Sequence, residues 1–170
     1  IVLGDATDSA LLAAPLFRQR LYLVDRKRPG RRPRSVDIGR LAEMPLVLPP
    51  ALNATRVVID QAFEGAGLAP RVVTEANILW AILSAVQSGI GAAILPFGDL
   101  SALNGYEGFV STPIEPPLFQ TALLVSARAA PLTPAAQAVQ MLVHDTIADL
   151  LSRRQVPSME ACLPLVETEP

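Results

Sequence analysis

Six residues could do chemistry by virtue of where they fall. Asn53 and Thr55 follow the apolar run Leu46-Val47-Leu48, Thr74 and Asn77 follow Val72-Val73, and Pro96 and Phe97 follow Ile94-Leu95. If those runs are parallel strands, all six stand at strand carboxyl ends, which is where an open α/β sheet binds its ligands. Asn and Thr are also preferred helix N-caps. A helix start offers free N–H groups and a partial positive charge, which suit a carboxylate or another anion. Capping alone, worth ~1 kcal/mol per site, accounts for any one of these residues. Their recurrence at three strand ends points instead to a binding site for a small anionic molecule.

Other chemistry finds little support. His144 is the single histidine, and no Ser in a G-x-S-x-G setting exists to pair with it, so it reads as a solvated helix residue. Cys162 is the single cysteine, which excludes an internal disulfide and gives no metal cluster. Gly89 and Gly91 form G-I-G, but a third glycine is missing and the pair precedes a strand, so the dinucleotide fingerprint fails. The run "RKRPGRRPR" (26–34) holds six Lys or Arg without an aromatic and reads as a solvated loop. The expectation is a protein that is not an enzyme, with no catalytic residue, no metal site and no cofactor.

The elements that must position the six residues follow from periodicity. Residues 77–98 carry no charge, which raises a membrane span. The pattern within them breaks, however. Leu79, Ile82, Leu83 and Val86 keep helical spacing, Gly89 stands where a C-cap glycine belongs, and Ala92-Ala93-Ile94-Leu95 reads as a strand buried on both faces. Upstream, Asn53 or Thr55 caps a helix whose Val58, Ile59, Ala62 and Phe63 face inward, and Arg71–Thr74 is a strand. Residues 46–95 therefore alternate strand, helix, strand, helix, strand, which implies a parallel sheet with helices on its faces. Leu21–Val24 is a further strand, and Asp37 caps a short helix that stops before Pro45. Beyond Pro96, residues 99–108 read as a short helix and loop, 109–114 as extended, and Thr121–Val125 as a buried strand. Thr133 with Pro134 opens a long helix whose apolar face holds Val139, Leu142, Val143, Ile147, Leu150 and Leu151. From Ser152 a loose tail is expected. Ile1–Asp5 reads as the end of a buried strand, with no signal peptide and no initiating Met, as in a fragment or a processed chain. With 51% hydrophobic residues and a net charge of −2, the chain is globular and has no strong pull towards nucleic acid or acidic lipid. The lone cysteine fits a reducing, cytoplasmic compartment.

Four stretches, in this order and spacing, resemble the C-terminal regulatory domain of LysR-type transcriptional regulators: "APLFRQRLYLV" (14–24), "DIGRLAEMPLVLP" (37–49), "FEGAGLAPRVVTEANILWAILSAVQSGIGAAILP" (63–96) and "APLTPAAQAVQMLV" (130–143). Within that family the resemblance is to the nitrogen-assimilation-control type. It implies an α/β fold like type 2 periplasmic binding proteins, with two lobes, each a parallel-rich sheet flanked by helices. Lobe two would run over 25–122. Lobe one would be built from 1–24 and 123–152 and would be incomplete, with 153–170 as tail. The resemblance further implies a small-molecule effector between the lobes, held at the lobe-two edge by Asn53, Thr55, Thr74, Asn77, Pro96 and Phe97. It implies a homo-oligomer, and DNA contact through a helix-turn-helix that these residues do not contain. No membrane partner is implied. A solute-binding receptor of a transporter shares the architecture and is the alternative.

Overall fold

The computed structural model describes residues 1–4, 8–30, 32–96, 106–153, 155–156 and 158–162. Two sheets organise them. One contains β3 (Tyr22–Arg26), β4 (Leu46–Leu48), β5 (Val72–Glu75), β6 (Ala92–Leu95) and β7 (Phe109–Pro113), in the order β5-β4-β6-β3-β7. Its inner pairs β4–β5 and β4–β6 are parallel, while β3 runs antiparallel to both β6 and β7. The second contains β1 (Val2–Leu3), β2 (Leu11–Arg20), β8 (Phe119–Ala127) and β9 (Met159–Glu160), in the order β1-β8-β2-β9, with every pair antiparallel.

The parallel strands are short unbroken apolar runs because both of their faces are covered. Side chains alternate across the pleat. Leu46, Leu48, Ala92 and Ile94 therefore pack on one side with Ile38 and Leu41 of α1 (Ile38–Ala42) and Ile59 and Phe63 of α2 (Ala54–Gly65). Val47, Ala93 and Leu95 pack on the other with Ile82, Leu83 and Val86 of α3 (Leu79–Gln87). Each Val, Leu, Ile or Phe among them, once buried, contributes about 1.5–3 kcal/mol, and the alanines less. The uncharged stretch is thus helix plus central strand. Among the described residues no helix is long and apolar enough to cross a membrane.

Local chemistry sets the helix limits. Asp37 accepts from the Arg40 N–H, and Asn53, rather than Thr55, caps α2 by accepting from the Thr55 N–H. Thr133 caps α4 (Pro134–Ser152), with Pro134 in its first turn. Helix α3 starts at Ile78 without a side-chain cap, so Asn77 is not its cap. Gly89, at φ +78°, ends α3, with its own N–H on Val86 O and that of Ile90 on Ala85 O. Gly91 lies against backbone, since a Cβ there would stand 2.6 Å from Pro45 O.

Several expectations shift. Residues 11–20 form one ten-residue strand, β2, which leads into β3 across the single residue Leu21. The expected loose tail contains β9, whose Met159 and Glu160 pair with Gln19 and Arg18, and Ser158 there is buried. Backbone pairing holds this segment where composition alone suggested none. Strand β1 exists but is exposed, not buried. The apolar face of α4 is only partly used: Ile147 is buried, while Val139 and Leu142 are 61% and 65% exposed. The helix expected within 99–108 falls mostly outside the described residues.

Gly91→Ala should cost about 1–3 kcal/mol, because the added methyl meets a carbonyl that cannot swing aside. Gly65→Ala, with open space at its Cβ, should be neutral or stabilise by up to about 1 kcal/mol. Urea midpoints of the two variants measure both.

Candidate functional site

The carboxyl ends of β4, β5 and β6 lie along one edge, because these strands run in the same direction. Two polar pairs gather there. Asn53 turns its side-chain oxygen to the Thr55 N–H at 2.9 Å, and its Nδ2 donates to Asn77 Oδ1 at 3.3 Å. Thr55 Oγ1 donates to Gln120 Oε1 at 2.9 Å, which joins α2 to strand β8 of the other sheet. Thr74 lies within β5, opposite Val47, and Pro96 directly follows β6; both are partly buried. Phe97 lies outside the described residues. The two asparagines therefore meet each other, and Thr55 meets a residue that strand-end reasoning did not single out.

That residue, Gln120, is 1% exposed, and its Nε2 has no hydrogen-bond partner. A buried donor without an acceptor costs about 1–3 kcal/mol. Gln120 lies outside the expected strand Thr121–Val125, and it is the structure that puts it in phase with the buried Ala122, while Phe119 and Thr121 point to the other face of β8. A cleft of about 510 Å³ opens between α2 and β8, lined by Leu3, Gly4, Leu52, Ala54, Phe119 and Thr121 among others, and Asn53, Thr55, Asn77 and Gln120 are not part of its lining. Gly4 lets β1 approach α2 closely there, since a Cβ on it would stand 3.2 Å from that of Ala54. Leu52, at the cleft rim, is fully exposed at 100%.

Arg56 holds the frame. Its Nε donates to both oxygens of Asp60, and its Nη1 donates to Pro49 O at 3.0 Å and Glu75 Oε1 at 2.9 Å. Pro49 follows β4 and Glu75 ends β5, so one guanidinium ties the start of α2 to two strand ends. Burial works to lower its pKa. The hydrogen bonds and charges of Asp60 and Glu75 outweigh that and leave it above its ordinary value.

Away from this edge, the chemistry thins out. His144 is exposed on α4. Burial pushes the Cys162 thiol up against the opposing pull of Arg18. Among the described residues no group of three His, Cys, Asp or Glu could hold a metal. In the basic run, Arg31 lies outside the described residues. Arg28 faces Asp25 at 3.7 Å, and the Arg26 guanidinium lies over Gly89 at the end of α3, where the helix dipole is negative.

Residues 1–148 match the sequence profile of the LysR substrate binding domain. The chain belongs to that family. The nitrogen assimilation regulatory protein nac of Klebsiella aerogenes is 34% identical over 157 residues, covering 89% of this chain and 47% of that protein. The chain thus spans about half the length of this relative. Among solved structures, the regulatory domain of Synechocystis PCC6803 CcmR in complex with 2-PG gives a TM-score of 0.72 at 16% identity, covering 88% of this chain and 73% of that one. The effector binding domain of QuiR in complex with shikimate gives 0.70 at 21% identity, covering 86% and 72%. At those identities the likeness is one of fold, and it is the periplasmic-binding-protein-like α/β fold of LysR domains.

In this LysR domain the two polar pairs carry separable loads. Asn53→Ala should cost about 1 kcal/mol through the lost cap. Thr55→Val should cost about 1–3 kcal/mol by leaving both ends of the Gln120 amide without a partner, and Thr55→Ser should recover most of it. Thermal unfolding of the three variants checks this.

Proposed function

We propose that this chain is the effector-sensing and oligomerisation domain of a bacterial DNA-binding transcription regulator. Lobe two is the unit built on the five-stranded sheet and lobe one the unit built on the four-stranded sheet, so Tyr22–Val24 join the expected 25–122 of lobe two, Phe119–Ala122 go to lobe one, and β9 of the expected 153–170 tail goes with lobe one as well. The effector is a small anionic molecule held at the lobe-two edge by Asn53, Thr55, Thr74, Asn77, Pro96 and Phe97. The observation that carries this reading is the hydrogen bond from Thr55, in the first turn of α2, to Gln120 of β8, which ties a helix N-terminus at the strand ends of one sheet to a strand of the other. The family supports it, as do two similar domains held with small ligands, shikimate and 2-PG.

The protein works in the cytoplasm as a dimer or tetramer, contacts DNA through a helix-turn-helix outside these residues, and is not an enzyme. Sensing is a shift in population. The effector binds the closed arrangement of the lobes more tightly than the open one, and the difference changes the geometry passed to the DNA-binding parts. Coupling of this kind is typically worth about 1–3 kcal/mol, or roughly 5–150-fold in affinity.

Small carboxylates titrated into the full-length regulator should change its operator affinity within that range for at least one compound. A footprint and affinity indifferent to all of them would sink the sensing reading. Turnover of a substrate that His144→Ala abolishes would sink the non-enzymatic one.

A further inference from the structure

We infer that the cavity between the basic loop and the β3–β7 edge of the five-stranded sheet is a second ligand site, which takes a small organic carboxylate with an apolar body. It is independent of the effector-sensing reading, because the cavity shares no residue with the polar pairs at the strand ends. Strand β3 runs antiparallel to β6, and β6 runs parallel to β4. The Arg26 end of β3 therefore points away from the edge where β4 and β6 finish.

The cavity measures about 260 Å³. Its floor is two cross-strand pairs, Leu23 with Thr112 and Asp25 with Val110. Residues two apart in a strand share a face, as do opposite residues of an antiparallel pair, so all four side chains face the same way. Val36 and Met44 add apolar wall on the side of α1. The connection from β3 to α1 is pinned at both ends. The Lys27 N–H donates to Gly108 O at 2.7 Å, and the Val36 N–H donates to Pro113 O at 2.9 Å. Thr112 is 8% exposed, and its hydroxyl has no hydrogen-bond partner among the described residues. Buried polar groups are almost always paired, so an unpaired hydroxyl on the floor of a cavity marks a place for a polar atom of a ligand.

Four arginines border this apolar floor against one carboxylate, Asp25. The Arg26 guanidinium is engaged elsewhere, over Gly89. The other three keep donors to spare. Arg28 stands 3.7 Å from Asp25, beyond hydrogen-bond distance. Arg40 pairs with Glu43 through one nitrogen, and Arg32 pairs with no described residue. A guanidinium carries five donors and no acceptor, and it meets a carboxylate with two parallel bonds. A carboxylate head among Arg28, Arg32 and Arg40, with its body over Leu23 and Val110, uses both parts of the cavity. A bare inorganic anion leaves the floor uncovered, a neutral apolar molecule leaves the guanidinium donors unused, and a cation is repelled. A nucleic-acid backbone needs cations spread along a surface, and here they ring a concavity in a chain of net charge −2.

The test is an NMR titration of the ¹⁵N-labelled 170-residue chain at constant ionic strength, with sodium hexanoate as the probe. Hexanol supplies the body without the charge, and sodium acetate the charge without the body. Hexanoate should saturably shift the backbone amides of Leu23, Val110 and Thr112. Its affinity should exceed that of either control by about tenfold or more. Arg32→Gln should weaken hexanoate by about fivefold or more. Val110→Trp, on the edge strand β7, should abolish binding by filling the cavity. Arg34→Gln, exposed and outside the lining, should leave it unchanged. The wild-type shifts decide the matter even if a variant fails to fold. No saturable movement at the three amides, or equal affinity for hexanol or acetate, overturns the inference. Movement confined to the amides of Thr55 and Asn77 would put the anion at the strand ends, so the second site would fall while effector sensing stood. A short DNA duplex that moved the three amides where hexanoate did not would make the loop a nucleic-acid contact and overturn the inference as well.

Discussion

Strands β4 and β6 can be entirely apolar only while helices cover both of their faces, and much of the structure follows from meeting that condition. Seven consecutive-run residues, Leu46-Val47-Leu48 and Ala92-Ala93-Ile94-Leu95, are all buried. Covering them requires α1 and α2 on one side and α3 on the other. Connecting them through those helices makes the strands parallel, because a crossover returns the chain to the same starting edge. Parallel strands then end together, and the next helix begins where its strand ends. The polar residues at 53, 55, 74 and 77 share an edge as a by-product of keeping water from seven apolar side chains.

The same condition explains what could be read in advance. The uncharged segment from 77 to 98 resolves into α3, the turn at Gly89 and β6, because helical spacing, a left-handed glycine and a four-residue apolar run are local signals. Asp37 and Thr133 were legible as caps for the same reason, and Asn53 as one of two candidates with Thr55. Strand β2 was harder, because Pro15 and three basic or amide residues at 18–20 interrupt any simple alternation, and a register shift occurs between Pro15 and Phe17. Strand β9 was illegible, since its two residues gain their conformation from β2 alone.

The site was legible in half. Spacing could say that Asn53 and Asn77 each follow a strand, but not that they bond to each other instead of each capping a helix. Nor could it supply Gln120, which reaches Thr55 across 65 residues of chain and from another sheet. Arg56 shows the same limit. Its pairing with Asp60 is a plain i, i+4 pattern, whereas its bonds to Pro49 and Glu75 depend on where two strands stop. Long-range partners of polar groups are decided by topology, and topology is written in the apolar residues.

Among the described residues the chain passes between the two sheets twice, once at Leu21 and once between Pro113 and Phe119. These passages are adjacent, joined by the Leu21 N–H on Leu118 O at 2.8 Å. Two neighbouring pins on one line permit rotation about that line and little else. Gln120 is two residues from Leu118, near the axle, whereas Leu52 rides on the rim of the cleft. A given angle of swing therefore displaces the rim more than the amide.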